Sequence, residues 1–234
     1  MITAKLDHVV KEANNIYSFY FHPEKKIDFT AGQFVEVHLS NSNPDSRGTK
    51  RWFTISSAPE LNDFFSITTR MADSRGSSFK ESLRSMKKGQ EIKISDAMGD
   101  FVLPKNENIP LVFIAGGIGI TPFHSIISHL IATKQKRDIR LYYGTRSSDE
   151  LVFNKELEAY LGSNLFPVLQ NAPMNYKGKT GFLDISEIFK DIKNMDCLIY
   201  ISGPEPMVEK FKKEFEDMGV NKNSLVCDYF PGYI

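Results

Sequence analysis

The 234-residue chain is short of cysteine, of net charge and of long apolar runs, and each shortage closes off a class of function. Its two cysteines, Cys197 and Cys227, form no CxxC pair and have no histidine-rich neighbour. A cysteine-held iron–sulfur cluster or a structural zinc normally takes about four ligands, so neither is expected from this chain. Reduced intracellular thiols are the expected state, with a disulfide as the alternative. Lys plus Arg equals Asp plus Glu at 29 each, so the overall field draws no polyanion and any bound anion has to be held locally. No nucleic-acid partner is expected. No apolar run approaches the roughly 20 residues that cross a bilayer, and MITAKLDHVV lacks a basic stretch leading into an apolar one. A cytoplasmic protein without a transmembrane segment follows as the expectation. The five histidines are scattered, and the close pair His124 and His129 is five apart, off a shared helix face, so no metal site is expected. There is no GxSxG, no internal repeat and no low-complexity tract.

What is present is ordinary globular material, 41% apolar and 25% charged, in a length that suits two domains. The first hundred residues alternate with period two at 34–39, 64–70 and 91–95, with one helix at about 78–88. That pattern predicts an antiparallel sheet or small β-barrel. Beyond LPKNENIP (103–110) the pattern changes. An apolar strand from Leu111 leads into a helix, and a strand at 140–144, a helix at about 149–161 and a strand at 197–203 follow. Strands alternating with helices predict an α/β doubly wound parallel sheet, so the chain divides as 1–106 and 107–234. The lysine-rich stretches 134–137 and 210–213 read as solvated helix faces, with a docking patch for an acidic partner as the alternative.

The strongest local signal is LVFIAGGIGITPFHSII, where a buried strand meets Gly116, Gly117 and Gly119 before Thr121 and Pro122 open a helix. The expected apolar face of that helix is Phe123, Ile127, Leu130 and Ile131. Such a turn gathers backbone N–H groups and the positive end of a helix dipole, which suits a pyrophosphate. Pro122 stands where the GxGxxG fingerprint has its third glycine, so the match is near and tight packing alone is the other reading. One strand later, where an NAD site would carry an acid about 20 residues on, stand Arg146, Ser147 and Ser148. An arginine there accepts a 2′-phosphate, favouring NADPH over NADH, with a plain surface arginine as the alternative.

Eight segments occur in a family's order: AGQFVEV, RWFTISSAP, GSSFKESL, MGDFVLP, AGGIGITP, YYGTR, ISGPEPM and DYFPGY. On these the chain resembles the ferredoxin-NADP reductase superfamily along nearly all its length. The resemblance implies a flavin-binding barrel (1–106) and an NAD(P)-binding α/β domain (107–234) whose tail returns to the flavin. It implies that Arg51 pairs with the flavin pyrophosphate, Phe53 packs on the flavin in place of a tyrosine, and Thr54 offers its hydroxyl near N5. Trp52, Ile55 and Ser56 complete that segment, and Gly76, Ser77 and Ser78 form a second phosphate segment. Ser202 stands where many relatives carry a cysteine beside the nicotinamide, next to Gly203. Phe230, then Tyr233, is the candidate aromatic over the flavin or at the nicotinamide entry, the alternative being an aromatic end plugged into the core. Thr54, Ser202 and Phe230 are thus the candidate catalytic positions.

The implied activity is a flavin-dependent NAD(P)H oxidoreductase, with FAD favoured over FMN. Hydride passes from NADPH or NADH to flavin N5, and electrons then pass to a separate acceptor such as ferredoxin, flavodoxin, an oxygenase component, free flavin or a ferric chelate. With no room for an appended electron-carrying domain, the acceptor is expected to be another molecule. The competing class is a non-catalytic nucleotide-binding module that senses redox state or regulates a partner.

Overall fold

A computed structural model of the chain describes residues 1–40, 44–71, 76–192 and 195–230, the last by its backbone. The first half contributes strands β1 (Ile2–Ala13), β2 (Ile16–Pro23), β3 (Phe34–His38), β4 (Lys50–Thr54), β5 (Phe65–Arg70) and β6 (Glu91–Ile94), with helix α1 (Ser78–Ser85) before β6. They pair antiparallel in the order β4-β3-β6-β1-β2-β5. The two edges then meet through an Ile55–Ile67 bridge and a Ser56 N–H to Ser66 O hydrogen bond of 2.8 Å, closing a six-stranded barrel. Closure leaves no edge to template aggregation. Its core takes the inward residues of each strand, among them Phe19, Phe21, Val35, Val37, Phe53 and Ile67, and is lidded by Phe79 and Leu83, one turn apart on α1.

The second half supplies β7 (Leu111–Gly116), α2 (Thr121–Ala132), β8 (Ile139–Thr145), α3 (Asn154–Leu161), β9 (Leu165–Leu169), β10 (Lys179–Thr180), α4 (Ile185–Ile192), β11 (Leu198–Pro204), α5 (Glu205–Asp217) and β12 (Leu225–Phe230). The strands lie parallel in the order β10-β9-β8-β7-β11-β12. Chain order therefore reverses between β7 and β11, the doubly wound arrangement that opens a crevice at the strands' carboxyl ends. Period two in the strands sorts side chains by face. Leu111, Phe113, Leu141 and Tyr143 pack with α2 and α3, while Val112, Ile114, Tyr142 and Ile201 pack with α4 and α5.

The α2 face also receives Ile16, Ala31 and Phe101 from the first half, so one apolar core runs across both halves. Phe101 meets Phe123 and Tyr200 edge-on at 5.4 and 5.1 Å, and Tyr200 donates to the Val102 carbonyl at 2.7 Å. A fully buried Phe contributes about 1.5–3 kcal/mol, so this seam alone resists rotation of one half on the other.

The structure departs from the sequence pattern in three helices. Helix α1 ends at Ser85, not Lys88, because the chain turns through Gly89 (φ +86°) to enter β6. The helix expected from residue 149 begins at Asn154. Residues Ser148–Glu150 make a 3₁₀ turn, and Phe153 takes φ +61° to stack on His124, centroids 3.6 Å apart. On α2, Ile126 joins Phe123, Ile127 and Leu130 in the core, and Ile131 is 41% exposed because it falls at the edge of the buried stripe. Residues 134–137 follow α2 rather than lying on it. Among the described residues no helix is long and apolar enough to cross a membrane, and both cysteines are free thiols.

Candidate functional site

A cleft of about 490 Å³ lies where β3 and β4 of the barrel face the glycine turn and β12. Strand β4, KRWFT, builds its barrel wall. Alternation sends Phe53 inward, 6% exposed and 5.8 Å from Phe79, while Trp52 stays 57% exposed beside Phe34. Both residues line the cleft, as do Arg51 and Thr54. Of these two aromatics, Trp52 has the free surface. Thr54 is buried and its Oγ1 has no hydrogen-bond partner. Leaving a buried hydroxyl unpaired costs about 1–3 kcal/mol, and on a cleft wall it marks a place for a polar ligand atom.

Arg51 is anchored along one side of its guanidinium. Its Nη1 donates to the carbonyls of Arg47, Gly48 and Lys50 at 2.8, 3.2 and 2.6 Å, and Nη2 donates to Asp45 Oδ1 at 3.2 Å. Asp45 also meets the start of α1. Ser77 caps that helix by accepting from Lys80 N–H at 3.2 Å, and Ser78 N–H donates to Asp45 Oδ2 at 3.1 Å. Gly76 precedes the cap, half-buried. Arg51 and the second phosphate segment are thus brought together, through an acid that the sequence did not single out. Ile55 points into the barrel core, and Ser56 is spent on hydrogen bonds to Ser66 and Thr68 at 2.9 and 2.7 Å.

The opposite wall carries Ile118, Thr121, Cys227, Asp228 and Tyr229. Gly117 adopts φ +55°, where a side chain would be strained. Gly119 is required by close approach: a Cβ there would lie 2.6 Å from Gly203 Cα and closer still to the Ser202 carbonyl. Tight packing therefore accounts for Gly119, whereas a Cβ at Gly117 would make only an ordinary contact with Arg70 Nη2, at 4.0 Å. A 3₁₀ turn Gly117–Ile120 precedes α2, so Thr121 N–H and Oγ1 both turn back to the Ile118 carbonyl, and Pro122 sits buried in the first turn of α2. Gly116 and Gly203 lie at the carboxyl ends of neighbouring strands, against Met207.

Ser202 is fully buried on β11, in register with Ala115 and Asp228, and its Oγ is also without a partner. Arg146 stands exposed just past β8, its carbonyl accepting from Asn171 N–H at 2.7 Å, at the same sheet end but outside the cleft. Phe230 ends β12 opposite Pro204. Its side chain, and Tyr233, lie outside the described residues.

Asp228 was not foreseen. Burial drives its carboxyl up to about 6, against a hydrogen bond from the Tyr229 backbone. A lone acid inside the apolar strand LVCDYF was the available signal. Glu150, expected to sit at a helix start, instead receives Arg70 Nη1 and Nη2 at 2.6 and 2.9 Å across the two halves. Burial opposes its charge, but Arg70 outweighs this and holds its pKa below the ordinary range. Beside this pair, His124 Nδ1 donates to Ser56 O and Ser125 Oγ to Ser57 O, each at 2.7 Å.

Residues 113–213 match the family model of the oxidoreductase NAD-binding domain. The chain is 29% identical over 224 residues to the NAD(P)H-flavin reductase of Vibrio harveyi, covering 92% of this chain and 91% of that one. It is 25% identical over 232 residues to the flavohemoprotein of Oceanobacillus iheyensis, across 94% of this chain but only 57% of that relative's length. Two solved structures share the fold. The FAD/NAD-binding domain of nitric oxide dioxygenase from Vibrio cholerae O1 biovar El Tor gives a TM-score of 0.83 at 21% identity over 98% of both chains. The ferredoxin NADP+ reductase of Neisseria gonorrhoeae, with bound FAD and NADP, gives 0.77 at 23% over 97% of both. Reductase relatives matched nearly end to end and a shared barrel-plus-parallel-sheet architecture point the same way: the chain is similar to proteins of the ferredoxin-NADP reductase-like superfamily.

Proposed function

We propose that the chain is a flavin-dependent NAD(P)H oxidoreductase that passes electrons to a separate small acceptor, free flavin foremost. The observation that carries this reading is Thr54 Oγ1, a partnerless buried hydroxyl on the wall of a cleft that opens at the switch point of the parallel sheet. A flavin bound there supplies hydride acceptance at its N5. The residues present fit such a group. Thr54 offers a hydrogen bond to the ring, Trp52 an apolar surface, and Arg51 with Ser78 N–H a binding point for phosphate at the other end. Asp228 holds a proton below about pH 6 and releases it above, within the same cleft.

Residues 1–106 are assigned the flavin and 107–234 the nicotinamide nucleotide, with Gly117 and the Ser202–Gly203 end of β11 bordering the nicotinamide. FAD is favoured over FMN because the cleft joins two anion-binding regions. NADPH is favoured over NADH by Arg146. Free flavin is favoured as acceptor by the Vibrio harveyi relative, of matching length and named NAD(P)H-flavin reductase.

The test is oxidation of NADPH and NADH followed at 340 nm with riboflavin, FMN, FAD, a ferredoxin and a ferric chelate, after identification of any flavin released from the purified protein. Flavin-dependent oxidation is expected. A protein that binds no added flavin and oxidises neither nucleotide would leave the regulatory, non-catalytic reading in its place.

A further inference from the structure

The donors that a phosphate needs at this cleft already serve a carboxylate of the chain itself. Asp45 Oδ1 accepts from Arg47 N–H at 2.9 Å and Arg51 Nη2 at 3.2 Å. Its Oδ2 accepts from Arg47 Nη2 at 3.2 Å and Ser78 N–H at 3.1 Å, and its own N–H donates to Ser78 Oγ at 2.8 Å. Two guanidinium groups and a helix N-terminus thus converge on one anion, the donor set that recognises phosphate. Burial opposes the charge of Asp45, yet the hydrogen bonds from Arg47 and Ser78 and the charge of Arg47 bring its pKa to about 2. It is therefore an anion at every physiological pH.

Two independent features say that this anion socket belongs to a larger ligand. Arg47, Lys50, Arg51 and Lys80 line the cleft with two acids, Glu36 and Asp228, so cations outnumber carboxylates there. Three residues beyond Arg51 on the same strand, Thr54, 3% exposed, offers its partnerless hydroxyl to the same cleft. A ligand reaching both points is polar at a ring-like end and anionic at its tail.

We propose that Asp45 occupies the phosphate subsite of the flavin site and competes with the flavin's phosphate, so that this residue sets the preference among riboflavin, FMN and FAD. The inference rests on the flavin reading of the cleft. Riboflavin, which has no phosphate, binds without disturbing Asp45. FMN and FAD gain Arg51 and Ser78 only by displacing a carboxylate that already holds them, an exchange of one anion for another. The phosphate at this subsite then adds little to affinity.

The test compares dissociation constants of riboflavin, FMN and FAD for the full chain and for Asp45→Asn and Asp45→Ala, from quenching of flavin fluorescence. The quantity read is the ratio of FMN to riboflavin affinity within one protein, which does not depend on the fraction folded. Both variants are expected to raise that ratio about tenfold or more, with riboflavin affinity held within about twofold. An unchanged or lowered ratio, with riboflavin still bound, overturns the proposal and makes Asp45 a support for the socket. Failure of every flavin to bind either protein overturns the flavin reading and the proposal together.

Discussion

Asp228→Asn tests the electrostatics of the cleft through stability. Asp228 sits on β12 beside Ser202, and burial raises its carboxyl from 3.8 to about 6. The folded chain therefore holds a proton that the unfolded chain has already released between about pH 4 and pH 6. Stability from this group is fully present below the lower value and is lost as pH rises through the upper one. A gap of about two pKa units at ~1.4 kcal/mol each amounts to about 3 kcal/mol as an upper figure. Asparagine keeps the shape and carries no charge. The variant should gain up to about 3 kcal/mol over the parent at pH 8, or roughly 6–12 °C in Tm for a chain of this size. The gain should shrink as pH falls towards 5. Thermal melts of both proteins by circular dichroism at pH 5, 6, 7 and 8 give the difference directly, with every other titrating group cancelling. A Tm difference that does not change over that range would refute the reasoning, because Asp228 would then not titrate as a buried acid.

Three further substitutions probe the other walls. Thr54→Val removes a hydroxyl that no protein group satisfies, so stability should hold or rise by about 1 kcal/mol while flavin-dependent NADPH oxidation falls about tenfold or more; lost stability with intact rate would contradict it. Gly119→Ala drives a methyl into the backbone of Ser202 and Gly203 and should cost about 1–3 kcal/mol in urea unfolding, with a raised KM for the nucleotide; a neutral result would show the turn can yield. Arg146→Ala should raise KM for NADPH about tenfold and leave NADH unchanged, and equal effects on both would remove the 2′-phosphate role.

The second half was the more legible in sequence, because strand, glycine turn and helix follow one another locally from Leu111 to Ala132. In the barrel, β1 and β2 escaped notice for different reasons. Ile2, Ala4 and Leu6 alternate inward, but a register shift between Leu6 and His8 breaks the period, and residues 8–11 are exposed. IYSFYF in β2 is apolar or buried almost throughout, without alternation. By sequence CDYFPGYI reads as a tail, yet Leu225–Phe230 pairs with β11 as the sheet's outer strand. At the site, Arg51 and Thr54 were legible because they share one strand. Asp45 was not: it lies in the turn-rich NSNPDSRGTK, and its partner Ser78 is 33 residues away, a neighbour only once the barrel closes. The pairing of Arg70 with Glu150, 80 residues apart, was hidden for the same reason.

The hydrogen bonds from His124 and Ser125 to the carbonyls of Ser56 and Ser57 tie α2 to the continuation of the strand that bears Thr54. The helix behind the glycine turn is thus registered against the barrel two residues from the cleft. For engineering, this makes 54–57 and 121–125 one unit of recombination. A chimera that takes its barrel from one reductase and its parallel sheet from another inherits the spacing between the two nucleotides only if both segments come from the same parent. Joined at residues 103–110 without regard to this pairing, both halves can fold while the reacting groups sit out of reach of each other.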